Sequence, residues 1–73
     1  MSMISFAEAK TLVLARLRDW LESLPLAERT RPRKIIDYRP YSVTDLIREV
    51  ERETDVGKQI MYDEAKKLGY AVE

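Results

Sequence analysis

Apolar residues recur at helical spacing along the first third of the chain. Phe6, Ala9, Val13, Leu17, Trp20 and Leu24 fall on one stripe, and Leu14 and Leu21 widen it. The spacing predicts a helix over residues 5–24. Ser5 and Glu8 form a capping box at its start: the Ser hydroxyl accepts from the Glu8 amide, and the Glu8 carboxylate reaches back. Pro25 stops the helix one residue after Leu24. Leu12 falls off the stripe, among Glu8, Arg16 and Asp19.

A second stripe of Val43, Leu46, Ile47 and Val50 predicts a helix over residues 43–53. Ser42 is its N-cap, Asp45 takes the box position, and Tyr41 with Leu46 fits a hydrophobic staple. From Glu51 to Gln59 the only apolar residue is Val56, so a continuous helix would carry a two-turn gap in its stripe. A break near Thr54-Asp55 is therefore expected, followed by a third helix over residues 55–68. Val56, Ile60, Met61, Ala65 and Leu68 form its buried face. Lys66 and Lys67 suit its last turn, and Gly69 suits the left-handed residue just past its end.

The connection over residues 25–41 contains all three prolines of the chain. Within it Lys34-Ile35-Ile36-Asp37-Tyr38 is β-branched and aromatic enough for one short strand, and Tyr70-Ala71-Val72 offers another. The expected fold is all-α or nearly so. It is a single small three-helix bundle over residues 1–73, with room for a two-stranded pairing of 34–38 with 70–72. Its expected core is Ile4, Phe6, Val13, Leu17, Trp20, Leu21, Leu46, Ile47, Val50, Ile60, Met61 and Leu68.

Composition narrows the function classes. A chain of 73 residues is one domain at most, and it holds no cysteine and no histidine. Disulfides are impossible, a zinc site lacks its usual ligands, and the commonest catalytic base and nucleophile are missing. No catalytic, metal-binding or cofactor-binding residue is expected. Glu49 and Glu53 stand at helical spacing, but on the polar side of a surface helix, where carboxylates solvate. Val56-Gly57-Lys58 is no phosphate loop, because the earlier glycine and the following Ser or Thr are absent. The apolar runs are too short to span a membrane. Met1 to Phe6 has neither the basic start nor the long apolar stretch of a secretory leader. A cytoplasmic, non-enzymatic protein with no membrane partner is the expectation.

Charge is balanced overall and uneven locally. Arg29, Arg31, Arg33, Lys34 and Arg39 against Asp37 alone give a net +4 over residues 29–39, within a chain of net charge zero. Arginine forks match phosphate oxygens, so Arg29, Arg31, Arg33 and Lys34, with Lys58, are candidate phosphate contacts. The same cations would equally neutralise the acidic C-terminal part of the chain. The order helix, strand, helix, tight turn, helix, strand resembles that of a winged-helix domain without its final wing strand. Glu64 to Val72 looks like the end of a recognition helix running into a wing strand. That resemblance implies a groove-facing role for Lys58, Gln59, Tyr62 and Lys66. A sequence pI near 6.3 lacks the basic bias of a dedicated nucleic-acid binder.

The surplus of large rings points elsewhere. Leu12, Trp20, Tyr38, Tyr41 and Tyr62 are candidate protein-interface residues, because Trp and Tyr bury large areas while keeping a polar handle. The leading expectation is a small interaction or assembly module, self-associating as a homodimer or bound to another protein. The alternative is a winged-helix-like nucleic-acid binder using residues 29–34 and 55–68.

Overall fold

A computed structural model describes residues 2–73. The first helix, α1, runs Phe6–Ser23. Its capping box is formed as the sequence implies: Ser5 Oγ accepts from the Glu8 amide at 3.1 Å, and the Ser5 amide donates to Glu8 Oε1 at 3.2 Å. Leu24 takes an extended conformation ahead of Pro25 and ends the helix. The second helix, α2, covers Val43–Glu51, with its own box between Ser42 and Asp45. The third, α3, covers Asp55–Lys67 from an N-cap at Thr54, whose hydroxyl accepts from the Gly57 amide at 3.0 Å. The predicted break at Thr54-Asp55 is present. α2 stops two residues short of the expected 53 because Glu53 turns left-handed, with φ 53°. Gly69 is left-handed as expected, with φ 91°.

Each helix touches the other two. Ala9, Val13 and Leu17 of α1, Val43, Leu46, Ile47 and Val50 of α2, and Ile60, Met61 and Ala65 of α3 are buried. The α2–α3 approach is close enough to dictate a residue: a Cβ on Gly57 would stand 2.0 Å from the Glu49 carbonyl oxygen. Only glycine fits where the end of α2 crosses the start of α3.

Four short strands complete a mostly helical fold, and they pair differently from the expectation. Lys34–Ile36 (β2) pairs antiparallel with Arg39–Tyr41 (β3). Asp37 and Tyr38 form the two-residue turn between them, both at positive φ, as a type I′ hairpin requires. Tyr70–Val72 (β4) pairs parallel with Ser2–Ile4 (β1), a strand with no counterpart in the sequence reading. The proposed pairing of 34–38 with 70–72 is therefore wrong, and Asp37-Tyr38 belongs to a turn rather than a strand. The closer partner wins because a two-residue hairpin closes with almost no loop entropy.

Three further placements correct the sequence reading. Trp20 is 38% exposed and Leu68 39% exposed, so neither is core. Trp20 lies on the stripe but in the last turn of α1, beyond the buried Leu17, and Leu68 is already the C-cap of α3. Tyr41, expected at an interface, is buried beside Ile36 on the inner face of the hairpin. Ile4, Phe6 and Leu21 sit half-buried at the rim of the core.

Candidate functional site

The five candidate interface residues do not form one surface. Tyr38 projects from the hairpin tip and is 99% exposed. Tyr62 lies on the exposed face of α3 with Lys58, Gln59, Asp63 and Lys66. Leu12 borders a shallow depression with Ala7, Glu8 and Thr11 on α1. Tyr41 is core. Trp20 is the one that joins other chemistry.

α1 sets up the meeting. Leu12, Arg16 and Trp20 recur every fourth residue and share one row of the helix. That row borders α3, where Arg16 Nε donates to Glu64 Oε2 at 3.3 Å. The hairpin closes the third side. Arg16, Trp20, Arg33, Lys34, Glu64 and Lys67 line a cleft of about 540 Å³. An adjoining depression of about 470 Å³ is bounded by Arg16, Asp19, Trp20 and Leu68. Trp20 and Arg16 border both. The ring and Leu68 supply apolar surface, and the cations come from α1, the hairpin and α3.

Glu64 organises the charges. It is only 8% exposed, and a carboxylate so covered needs partners. Lys67 Nζ stands 3.3 Å from Oε1 and Lys34 Nζ 3.9 Å from the same oxygen, while Arg16 serves Oε2. Glu64 thus holds three cations at the cleft wall. Arg33 faces the cleft while its Nη2 donates to Glu28 at 3.1 Å.

The candidate phosphate contacts divide. Arg33 and Lys34 line the cleft. Arg29 is occupied with its own loop: its Nε donates to the Leu24 carbonyl at 3.1 Å, covering an unpaired oxygen at the end of α1. Its own carbonyl accepts from Thr44 Oγ1. Arg31 lies 3.6 Å from Glu28. Lys58 sits in the first turn of α3, more than two turns from Lys67, or roughly 13 Å along the axis at 1.5 Å per residue. No single anion contacts all five.

Sequence reasoning missed Arg16, Glu64 and Lys67 as members of this site. A signal was available for Arg16, which precedes Trp20 by one helical turn. None was available for Glu64, which meets Arg16 of α1 and Lys34 of the hairpin only in the folded chain. Among the described residues, no group of three or more acidic side chains comes together as a metal site. No helix among the described residues is long and apolar enough to cross a membrane. No family model, curated protein or solved structure matches this chain.

Proposed function

We propose that the protein is a small non-enzymatic interaction module, its three helices acting as one bundle that presents the Trp20 cleft to another protein or to a second copy. One observation carries the reading. The half-exposed tryptophan stands beside exposed Leu68 and is flanked by cations from three separate elements. Interface cores are enriched in Trp and Arg, and a ring left half in water gains most from a partner that covers it. The absence of histidine and cysteine from the sequence supports a non-catalytic role.

A photo-crosslinking residue at position 20, irradiated in the cytoplasm of living cells, tests this. The expected result is protein adducts at position 20 and few at position 22, which is exposed elsewhere on α1. Equal yields at both positions, or adducts to nucleic acid alone, would contradict it. A nucleic-acid reading has one observation in its favour, that Arg33 and Lys34 of the basic connection face the same cleft. It requires salt-sensitive binding of a mixed-sequence duplex, measured by fluorescence anisotropy and lost on reversing Arg31 and Arg33.

A further inference from the structure

We infer that the Trp20 cleft seats an acidic peptide segment of another protein, with one apolar side chain against Trp20 and Leu68 and carboxylates on Arg33, Lys34 and Lys67. The inference rests on the interaction reading and names the chemistry of its partner.

Charge complementarity identifies the occupant. Arg16, Arg33, Lys34 and Lys67 surround the cleft, and Glu64 is the only carboxylate lining it with them. With Glu28, 3.1 Å from Arg33, and Asp19 at the adjoining depression, four cations face three carboxylates, an excess of one positive charge in a protein whose net charge is zero. An anionic partner completes that excess. Arg33 offers a planar fork suited to a carboxylate, and Lys67 is half exposed at the rim.

The interior of the site separates a peptide from a polynucleotide. Glu64 stands in the wall of the cleft and Asp19 borders the adjoining depression. A nucleic-acid strand carries a phosphate at every nucleotide and would bring several past these carboxylates. A peptide places its carboxylates only where its sequence puts them. It can set an apolar residue over Trp20 and Leu68 and direct its acids to the cationic rim. The paired cations need little rearrangement, since Arg33 exchanges one carboxylate, Glu28, for another.

Trp20 is the only tryptophan, so its emission reports on the cleft directly. The experiment titrates the full chain with a short glutamate-rich peptide carrying one central leucine. Parallel titrations use the same peptide with serine for leucine, and oligothymidylate. The leucine peptide is expected to shift Trp20 emission to the blue and to saturate. Serine for leucine should weaken binding roughly tenfold, the loss of one buried apolar side chain. Arg33→Gln and Lys67→Gln should each weaken it about two- to fivefold, as exposed ion pairs do. Glu64→Gln should tighten it, because it removes a carboxylate from the cleft. If that variant does not fold, added salt on the unmodified protein reads the same electrostatics and should weaken binding several-fold.

No saturable shift, or equal binding of the serine peptide, overturns the inference. So does an emission change that follows protein concentration without peptide, which places a second copy in the cleft and leaves the interaction reading standing. Tighter binding of oligothymidylate than of peptide overturns both.

Discussion

Tyr38, like Asp37 and Glu53, occupies a left-handed backbone position that L-residues disfavour. It is a bulky residue at φ 67°, at the tip of a two-residue turn, with its ring almost wholly in water. Such turns favour Asn-Gly, because left-handed backbone costs an L-residue about 1 kcal/mol or more. Tyr38→Gly is therefore expected to stabilise the protein by about 1 kcal/mol, raising the melting temperature by about 4–8 °C in a domain this small. An unchanged or lower melting temperature would mean that the Tyr38 ring contributes contacts of its own. Gly57 makes the opposite case. Its φ is helical, and space alone forbids a side chain, since Glu49 backbone lies where the Cβ would go. Gly57→Ala should destabilise by about 2 kcal/mol or more, measured by denaturant unfolding, because overpacking against backbone cannot relax by a rotamer change. Gly69 differs again. Open space surrounds it and only its φ of 91° constrains it, so Gly69→Val should cost more than about 1 kcal/mol.

At the scale of elements, the helices and the strands at Lys34–Ile36 and Tyr70–Val72 were legible, and the strand pairing was not. Each helix start carries a Ser or Thr whose hydroxyl reaches an amide three residues on, a purely local device that the sequence states outright. The stripe of α2 is similarly local. Strand pairing is not. Nothing in Ser2–Ile4 announces that it will lie parallel to Tyr70–Val72, because that register is settled by the folded helices between them. The hairpin escaped for another reason: Asp37-Tyr38 lacks the glycine that marks its turn type. The turn between α2 and α3 is fastened by a contact equally invisible in the sequence. Lys10 Nζ donates to Glu53 Oε2 at 2.6 Å and to the Glu51 carbonyl at 3.2 Å. The Lys10 hydrogen bond and charge, with Lys58 nearby, hold the Glu53 carboxyl below the usual carboxylate range. A carboxyl lowered in the folded state adds stability above the unfolded value and loses it as pH falls through the folded one. The contact should therefore persist at pH 7 and weaken only below the ordinary carboxylate range. A carbon-detected NMR titration is expected to find Glu53 titrating lower in the wild type than in Lys10→Met. Coincident curves would show that the contact does not persist in solution.

For the whole molecule, size governs. A chain of 73 residues has an unfolding free energy of about 4–11 kcal/mol at typical values per residue. Truncating one buried leucine typically costs about 3–5 kcal/mol. Leu17→Ala, in the fully buried centre of α1, should remove about 3–5 kcal/mol of that free energy and lower the melting temperature by more than about 10 °C, measured by thermal unfolding. Such a small core cannot also cover every large side chain, and this is why Trp20 and Leu68 lie outside it. The candidate site was half legible. The sequence pointed to Trp20, Arg33 and Lys34, but on separate grounds, one as an aromatic and two as a basic run. Their convergence depends on tertiary contacts, among them the approach of Lys34 to the covered Glu64 of α3.

Trp20 stands half in water within a cationic cleft. Quenching of its emission by iodide and by caesium, at matched ionic strength, tests that most directly. Iodide is expected to quench Trp20 more effectively, relative to caesium, than it quenches a free indole. A ring inaccessible to both ions, or quenched preferentially by caesium, would contradict it.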